Sequence, residues 1–363
     1  DGDLDLFRAG SDRFGNEFTF LYSNSSGVLS IDSTQTEVLG SLNLKESSAA
    51  WGDYDDDGLI DLAINGKDRT GLFQTYLYKN TGSAHLLMRD TAQSLTATVN
   101  GDLAWGDLDS DGDLDLIVSG QIAVAPSLVL HIYKNTAGIL VKDDTQNLAG
   151  YLSSAMALAD YDSDGDLDLA VNGGKGSSVT PTLTLFTNDG TGVFTEDQTF
   201  GGAFGGSAAW GDYDNDGDYD LIMSGQDASN VVISRIFRND VGTLVETTVD
   251  VLPGLVFSTT AWADYDNDGD LDLVATGGEG VNFTEVSGVF DNLSGQTNPN
   301  TAPSAPVSLT SIANGSTAVL SWNDGADAET LANGLTYSLR VGTTPGGHDV
   351  VSGAQPAAIG ERG

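Results

Sequence analysis

A short acidic segment occurs five times in this chain of 363 residues. Successive copies begin 52 to 54 residues apart, at Asp53, Asp107, Asp160, Asp212 and Asp264. A unit of this length cannot bury a core of its own, so neighbouring units must bury a shared one. The spacing therefore restricts the chain to a repeat architecture in which each unit is one supersecondary structure.

The acidic segment brings together oxygen atoms that suit a calcium ion. In the first copy Asp53 occupies position 1, and aspartates also occupy positions 3, 5 and 9. Gly58 at position 6 allows a sharp reversal, which leaves the backbone carbonyl of position 7 free to point inward. Carboxylate and carbonyl oxygens that converge from a tight turn are the ligands that calcium prefers. The sequence thus predicts five complete calcium sites.

The predicted ligands occupy equivalent positions in all five copies. The expected carboxylate ligands are Asp53, Asp55, Asp57, Asp61; Asp107, Asp109, Asp111, Asp115; Asp160, Asp162, Asp164, Asp168; Asp212, Asp214, Asp216, Asp220; and Asp264, Asp266, Asp268, Asp272. The residues expected to bind through the carbonyl of position 7 are Leu59, Asp113, Asp166, Asp218 and Asp270.

An incomplete sixth copy opens the chain. Residues 1–6 match positions 5 to 10 of the segment, so Asp1 and Asp5 are the expected carboxylate ligands of a sixth calcium site. The first half of that copy is missing from the sequence. We therefore expect a chain that is truncated at its N-terminus, inside a repeat.

An EF-hand and a simple polar turn both fit the acidic segment less well than a calcium loop between strands. An EF-hand needs a bidentate acid at position 12 and a helix on each side, but position 12 is apolar in all five copies and the flanking residues predict strands. Simple Asp-Gly turns are common. However, neighbouring carboxylates repel by roughly 1 kcal/mol per pair in water and about 4 kcal/mol at an effective dielectric constant of 20. A turn has no need of that repulsion, which favours calcium.

The rest of each repeat predicts four short strands. An apolar run ends two residues before the acidic segment in a bulky residue: Trp51, Trp105, Leu158, Trp210 or Trp262. A second strand follows the segment, and a third ends in the pattern aromatic-x-Asn: Tyr22 with Asn24, Tyr78 with Asn80, Tyr133 with Asn135, Phe186 with Asn188, Phe237 with Asn239, and Phe290 with Asn292. A fourth strand follows in five of the six repeats. Four strands in about 50 residues are typical of a propeller blade.

The pattern W-G-D-Y-D-x-D-G-D-x-D-L resembles the FG-GAP or VCBS repeat of bacterial secreted proteins, whose relatives include the propeller of integrin alpha subunits. The resemblance covers residues 1–296. It implies an all-β, seven-bladed propeller with calcium in the loops between the first and second strands of a blade. Six repeats are visible here, so we expect six or seven blades in the complete ring. The first repeat lacks its inner strand and the sixth lacks its outer one.

The end of the chain has a different character. Residues 297–303 have the composition of a linker. Residues 304–363 predict part of a β-sandwich with two alternating strands, whose apolar faces hold Ala318, Leu320 and Trp322, and Tyr337, Leu339 and Val341. This part resembles the first half of a fibronectin type III domain. Such a domain takes about 100 residues, so we expect a partial one.

Charge limits the classes of partner. The formal net charge is −39, so nucleic acids and anionic membrane surfaces would be repelled. No apolar stretch is long enough to insert into a membrane, and the absence of cysteine leaves the redox compartment undetermined. Calcium sites of extracellular modules bind at about 10⁻⁴ to 10⁻³ M, and on that basis we expect an extracellular or cell-surface protein.

Three functions remain open from the sequence. The first is a non-catalytic adhesion or recognition scaffold, which binds a protein or glycan through variable loops on the face opposite the metal loops. The three most distinct of these loops are 66–71, 121–126 and 173–178. The second is a calcium-dependent lectin, for which the loop tyrosines are the candidates for outward-facing aromatic residues: Tyr54, Tyr161, Tyr213 and Tyr265. For these tyrosines the sequence favours the other role, which is to cover the acidic loop. Incomplete terminal blades also suggest self-assembly through open strand edges.

The third function is a propeller-type polysaccharide lyase or glycosidase. The three histidines, His85, His131 and His348, share no position in the repeat. Nucleophile-elbow, phosphate-loop and zinc patterns are missing from the sequence. A catalytic carboxylate pair depends on a distance that the sequence does not show. Because a catalytic site would be expected to alter one repeat, we predict that the protein is not an enzyme.

Overall fold

The computed structural model describes residues 5–11, 16–39, 42–82, 86–123, 128–247, 252–266, 268, 270–280, 283–292, 304–314, 317–323 and 325–326. Within these residues the regular structure is almost entirely β-strand, with one helix, α1 (Ser33–Leu39). That helix has seven residues, and no described helix has the length and apolarity to cross a lipid bilayer.

Six antiparallel sheets follow one another along the chain, each built from consecutive strands. Sheet 1 contains β1 (Leu6–Ser11), β2 (Glu17–Ser25) and β3 (Val28–Ile31). Sheet 2 contains β4 (Ala49–Gly52), β5 (Asp61–Lys67), β6 (Phe73–Asn80) and β7 (Leu87–Arg89). Sheet 3 contains β8 (Leu103–Gly106), β9 (Asp115–Gln121), β10 (Leu128–Thr136) and β11 (Ile139–Lys142).

The remaining sheets continue the pattern. Sheet 4 contains β12 (Tyr151–Ala159), β13 (Asp168–Lys175), β14 (Thr180–Asn188) and β15 (Phe194–Gly201). Sheet 5 contains β16 (Ala208–Gly211), β17 (Asp220–Gln226), β18 (Val232–Asn239) and β19 (Leu244–Glu246). Sheet 6 contains β20 (Leu255–Ala263), β21 (Asp272–Glu279) and β22 (Thr284–Phe290).

This arrangement is a six-bladed β-propeller, which confirms the predicted all-β repeat fold. Sheet 1 begins with the strand that follows position 9 of the acidic segment, so its inner strand is absent from the described residues. Sheet 6 has three described strands and no outer one. Both features agree with the incomplete first and sixth repeats in the sequence.

The hydrophobic core lies between the sheets. In sheets 2 to 5 the second strand is buried on both faces, as Leu62, Ala63 and Ile64 of β5 show with 0% exposure. One face packs on the preceding sheet and the other on the following sheet, so the apolar residues form a continuous run instead of alternating. Each core cluster accordingly joins two neighbouring sheets, as where Leu21 of sheet 1 meets Leu62 of sheet 2.

A glutamine in or shortly after the outer strand of one sheet holds the outer strand of the next. The side chain of Gln93 donates from Nε2 to the carbonyl of Gly138 (2.8 Å) and accepts at Oε1 from the N–H of Leu140 (3.2 Å). Gln146 and Gln198 make the same pair of bonds one and two repeats later. These glutamines recur at intervals of 53 and 52 residues, a periodic signal present in the sequence and absent from the predictions above.

The inner strands are joined by a backbone ladder at the end remote from the acidic loops. One N–H per repeat donates to the carbonyl one repeat earlier, linking Glu46, Asn100, Ser153, Gly205 and Phe257 in turn at 2.5 to 3.2 Å. All five residues have φ between 49° and 58°. A left-handed conformation costs a residue other than glycine about 1 kcal/mol. Its recurrence in four such residues indicates that the bonds between sheets hold it in place.

The tryptophan that ends an inner strand packs on the preceding sheet. In sheet 5, Trp210 stacks on Tyr161 with ring centroids 5.7 Å apart and donates from Nε1 to the carbonyl of Ala157 (3.2 Å). Trp105 and Trp262 make equivalent contacts. A Cβ atom on Gly211 would lie 2.6 Å from the next tryptophan ring, which explains the glycine that follows the tryptophan.

Beyond the propeller the structure describes one hairpin of β23 (Val307–Asn314) and β24 (Thr317–Asn323). The strand β24 contains Trp322, as the sequence predicts. The linker at 297–303 and the predicted strand around Tyr337 lie outside the described residues. The partial fibronectin type III domain stays a prediction.

The tryptophan contacts give a matched test of the joints between sheets. Replacing Trp210 with leucine removes a stacked ring and a hydrogen bond, and should lower the free energy of unfolding by about 2 kcal/mol or more. Trp51 is 37% exposed, so Trp51→Leu should cost less than about 1 kcal/mol. Urea denaturation followed by circular dichroism measures both. Equal losses in the two variants would contradict the assigned role of the stacked tryptophans.

Candidate metal centre

Each acidic loop connects the inner strand of a sheet to its second strand. The aspartate at position 1 folds the loop, because its two oxygens accept the N–H groups of positions 5 and 6. In sheet 3, Asp107 accepts from Asp111 (3.1 Å) and from Gly112 (3.0 Å). Asp111 in turn accepts the N–H of Asp113 (3.0 Å). The carboxylates therefore face the inside of the turn, where a cation would lie.

Two positions in the loop have a left-handed backbone. The glycine at position 6 has φ between 85° and 102° in Gly58, Gly112, Gly165 and Gly217, as the sharp reversal requires. Position 4 has φ between 54° and 61° in the same loops. It is Asp56, Ser110, Ser163 and Asn215. Asp and Asn tolerate this conformation better than most other residues, which makes position 4 a sequence signal of the loop that the predictions above lack.

The aspartate at position 9 is fully buried in all five loops. In Asp115, Oδ1 accepts the N–H of Asn135 (2.7 Å) and Oδ2 accepts the N–H of Leu108 (3.1 Å). The carboxylate thus joins the loop to the third strand of its own sheet. Burial raises the pKa of this carboxyl group to about 7 in Asp61 and Asp115. Burial likewise raises the pKa of Asp168 and Asp220 to about 8. In these four loops a positive charge nearby would favour the ionised carboxylate.

Three carboxylates converge in every loop. In each loop one oxygen atom from each of three aspartates lies within 4.8 Å of the other two. The convergent groups are Asp53, Asp55 and Asp57; Asp107, Asp109 and Asp115; Asp160, Asp162 and Asp168; Asp212, Asp214 and Asp220; and Asp264, Asp266 and Asp272. All of them belong to the predicted ligand sets.

Four of these loops hold a buried carboxylate oxygen without a hydrogen-bond partner. The atoms are Oδ1 of Asp55, Asp109, Asp160 and Asp214, at position 3 in three loops and position 1 in one. A buried polar atom without a partner is costly, and a cation bound in these four loops would satisfy it. Oxygen donors of this number and spacing fit a hard cation such as calcium. The residues present therefore fit the ion that the sequence predicts.

Aspartate side chains at position 7 make hydrogen bonds outside the acidic loop. Asp113 accepts the N–H of Ala137 (2.7 Å), and Asp218 accepts the N–H of Val241 (2.8 Å). Both side chains thereby fold the turn between the third and fourth strands. Calcium binding by the position 7 carbonyls, Leu59 included, stays a prediction. Of the incomplete sixth copy, Asp5 accepts the N–H of Asn24 (2.8 Å), and Asp1 lies outside the described residues.

The asparagine at the end of the third strand ties two loops together. The side chain of Asn135 donates to the carbonyl of Leu114 in its own loop (2.9 Å) and to that of Tyr54 in the preceding loop (2.6 Å). Asn188, Asn239 and Asn292 repeat this pair of bonds in the next three sheets. In the sequence these asparagines mark only the strand ends. The metal loops are therefore the joints between neighbouring sheets.

Three of the loop tyrosines are buried between sheets. Tyr54, Tyr161 and Tyr213 are at most 9% exposed because the tryptophan of the next sheet covers them. The hydroxyl of Tyr161 donates to Asp197 (2.7 Å). Tyr265 in sheet 6 is 53% exposed. Of the four tyrosines considered for sugar stacking, one is thus accessible to a ligand.

The one described histidine lies away from the acidic loops. His131 is in β10, where its Nδ1 is 3.1 Å from the hydroxyl of Thr96, and burial lowers its pKa. His85 and His348 lie outside the described residues. In the described part of the chain, the acidic loops are among the places where carboxylates converge.

The turns between the second and third strands lie at the end of the sheets opposite the acidic loops. Asp68 folds one of them by accepting from Thr70 (2.8 Å) and Leu72 (3.1 Å), and the Thr70 hydroxyl bond lowers the pKa of Asp68 to about 2. Asp227 folds the corresponding turn in sheet 5. Residues 124–127, in one of the predicted variable loops, lie outside the described part of the chain.

Comparison with solved structures finds likeness at the level of the fold. The fungal lectin of Aleuria aurantia, described as a six-bladed β-propeller with a novel mode of fucose recognition, is 9% identical over 91% of this chain and 94% of its own, with a TM-score of 0.49. The exo-β-1,3-galactanase of Phanerochaete chrysosporium is 9% identical over 64% of this chain and 56% of its own, with a TM-score of 0.37. At these values neither likeness bears on function.

Comparison by sequence identifies a family. No curated protein matches the chain. The model of the FG-GAP-like repeat matches residues 53–118, 160–223 and 212–275, which together make up half of the chain. Each matched segment begins at position 1 of an acidic loop and ends at position 12 of a later one. The chain therefore belongs to the FG-GAP-like repeat family.

Proposed function

We propose that this protein is a calcium-stabilised, non-catalytic recognition scaffold that binds a protein or glycan through the face opposite its metal loops. The observation that carries the proposal is the position of the acidic loops at the joints between sheets. Asn135 fastens the carbonyl of Tyr54 in one loop to that of Leu114 in the next. An ion in each loop therefore holds two sheets in register.

Calcium would cancel a repulsion that the fold itself relieves only in part. Most of the convergent carboxylates are partly or fully buried, and several keep an oxygen without a partner. A site filled at about one hundred times its dissociation constant stabilises the folded state by about 2.7 kcal/mol. Five such sites would together rival the whole stability of an ordinary domain.

The repetition of the loops supports a structural role for the metal. Nearly the same ligand set and hydrogen bonds recur in successive sheets, whereas a catalytic metal needs one site that differs from the others and is open to substrate. Calcium sites of extracellular modules fill at about 10⁻⁴ to 10⁻³ M. We therefore place the protein at the cell surface or in the secreted fraction.

Sheet 6 offers an exposed aromatic pair on the proposed binding face. Phe257 is 77% exposed and Phe283 46% exposed, with ring centroids 5.8 Å apart. The residues equivalent to Phe257 in the preceding sheets are Glu46, Asn100, Ser153 and Gly205. Because the other sheets are built without an aromatic residue there, the fold does not require one. Exposed aromatic rings are suited to sugar faces and to apolar side chains of a protein partner.

The outer faces of the terminal sheets favour self-assembly as a further mode of association. Val274 in sheet 6 is 37% exposed, whereas the equivalent Ile222 in sheet 5 is fully buried. Leu6 in sheet 1 is 45% exposed, whereas the equivalent Leu62 in sheet 2 is fully buried. Apolar residues that are buried in every internal sheet would gain contacts from another sheet placed against them.

Calcium removal is the first test. Metal-free protein in a chelator should melt about 10 °C or more below the calcium-loaded protein, since several stabilising ions are lost. Magnesium should raise the melting temperature less than calcium does, because magnesium demands a stricter octahedral geometry. Asp162→Asn should reduce the gain from calcium, whereas Asp144→Asn, at an exposed residue paired with Lys142, should not. Scanning calorimetry measures the midpoints, and identical melts with and without calcium would refute the proposal.

The free energy of unfolding should change with pH in opposite directions in the metal-free and the calcium-loaded protein. In the metal-free protein the pKa of Asp168 and Asp220 is raised by burial to about 8. Their stabilising contribution is therefore complete below about pH 4 and is lost as the pH rises through 8. We expect the metal-free protein to lose stability between pH 5.5 and 8.5, and the calcium-loaded protein to gain it, because protons compete with the metal. Urea denaturation at four pH values in this range would show two slopes of opposite sign.

Binding through the aromatic pair is tested with a glycan array and with surface proteins displayed in the presence of calcium. Phe257→Ser should weaken binding of any ligand found by about tenfold or more, as expected for an aromatic contact at the centre of an interface. Ile139→Ser removes another exposed apolar residue, on β11, and should leave binding unchanged. Equal binding by both variants would exclude the proposed face. Rapid cleavage of a polysaccharide would show an enzyme instead.

A further inference from the structure

One residue next to each metal loop varies in charge from sheet to sheet. It stands between the aromatic residue and the asparagine at the end of the third strand, and we call it the strand-end residue. In chain order the strand-end residues are Ser23, Lys79, Lys134, Thr187, Arg238 and Asp291. The aromatic character of the residue before it and the asparagine after it are kept in all six repeats, so the strand-end residue varies between two constant positions.

The backbone holds the strand-end residue in the same place in every sheet. The N–H of the following asparagine donates to the aspartate at position 9 in all six repeats, at distances from 2.7 to 2.9 Å. Asn80, for example, donates to Asp61 at 2.7 Å. The side chain that precedes the asparagine therefore starts from the same point beside each loop. Differences in its charge act on equivalent groups.

Two loops have a lysine ammonium group beside their ligands. Lys79 forms ion pairs with Asp55 and with Asp57, the latter at 3.2 Å. Lys134 lies 3.6 Å from Asp109 and donates to the carbonyl of Thr191 (2.5 Å). Asp55, Asp57 and Asp109 are all predicted calcium ligands. The lysines neutralise part of the charge that would attract the ion.

The ammonium groups leave the metal sites incomplete. Asp55 and Asp109 each bind lysine through Oδ2, whereas Oδ1 of each is buried without a partner. A cation can still bind there, but it must approach a positive charge already in place. The lysine loops are therefore weakened calcium sites and not replacements for them.

The other three loops differ from the lysine loops. Arg238 acts on Asp214 and Asp216 by its charge, but its Nη2 atom binds Asp240 at 2.7 Å. Thr187 brings no charge to the loop of Asp160, where a buried Oδ1 atom has no partner. Asp291 adds a negative charge that acts on Asp266.

We propose that the strand-end residue sets the calcium affinity of its loop, so that the five loops fill in a fixed order as calcium rises. The inference rests on the proposed calcium function and deepens it. The loops of Asp264 and Asp160 bind calcium most tightly, because Asp291 adds negative charge and Thr187 adds none. The loop of Asp212 is intermediate. The loops of Asp53 and Asp107, which hold Lys79 and Lys134, fill last.

The size of the effect follows from charge and distance. A single positive charge about 5 Å from a divalent ion weakens its binding by roughly tenfold even at the dielectric constant of water, and by more in a partly buried loop. We therefore expect at least two classes of site, separated by about tenfold or more in dissociation constant. The tight sites, in sheets 4 and 6, fill first and stabilise the joints there. The weak sites, in sheets 2 and 3, fill last as the calcium concentration rises.

Isothermal titration of the whole metal-free chain with calcium alone tests this order. The double variant Lys79→Met and Lys134→Met should move two sites from the weak class to the tight class, since methionine keeps the apolar stem and removes the charge. Thr187→Lys should move one site the other way. The matched control is Lys142→Met. Lys142 is the last residue of the outer strand β11, away from the acidic loops, and pairs with Asp144. This variant should titrate like the unaltered protein.

The outcomes separate this inference from the proposed function. If every variant binds calcium with the same distribution of affinities, the strand-end residue has no such role, while the calcium scaffold stands. If the unaltered protein binds no calcium, both are wrong. Melting in chelator supplies a second readout that does not depend on titration. There Lys79→Met should melt below the unaltered protein, because it loses the ammonium group that offsets the carboxylates; an unchanged melt in chelator would overturn the assignment of Lys79.

Discussion

Repulsion among convergent carboxylates at the joints between sheets is the constraint on which the rest of this structure depends. The aspartates at positions 1, 3 and 9 are brought together by the same loop that carries the carbonyls held by the interlocking asparagines. A loop that opened to relieve the repulsion would move these carbonyls away from Asn135 and its equivalents. The buried tyrosine at position 2 would also leave the tryptophan of the next sheet. Neutralising the carboxylates and keeping the sheets packed therefore depend on the same loop conformation.

The sequence predicted the elements within a repeat better than the contacts between repeats. The four strands, the glycine at position 6 and the ligand positions are local patterns, and each depends on residues fewer than 15 apart. The asparagine contacts join residues 78 to 81 positions apart, such as Asn239 and Tyr161. A periodic signal shows that an asparagine recurs, but it does not show which neighbouring repeat it meets. The glutamines Gln93, Gln146 and Gln198 also recur at a regular interval, but the interval does not show that each one bonds to the next sheet.

The loop tyrosines show how an adjacent sheet changes the meaning of a residue. By sequence Tyr161 and Tyr265 are equivalent, and each alternates with metal ligands. Tyr161 is 1% exposed because Trp210 covers it, whereas Tyr265 is 53% exposed in the last of the described sheets. No pattern inside one repeat distinguishes the two. Exposure in a propeller is a property of the pair of sheets: Tyr54, Tyr161 and Tyr213 take the covered position that the sequence favours, and Tyr265 takes the exposed one.

The two ends of the inner strands have different roles. One end holds neighbouring sheets together through side chains, and the other presents a surface. At the metal end the joints use side chains, so aspartate, tryptophan and asparagine must recur in nearly every repeat. At the opposite end the ladder from Glu46 to Phe257 uses main-chain N–H and carbonyl groups, and one side-chain bond, from Asn100 Nδ2 to Glu46 Oε2 (3.2 Å), is added in sheets 2 and 3. Side chains there can change from glutamate to phenylalanine without loss of a main-chain bond of the ladder. Freedom to vary lies at the end away from the acidic loops, and this supports the proposal of recognition on that face.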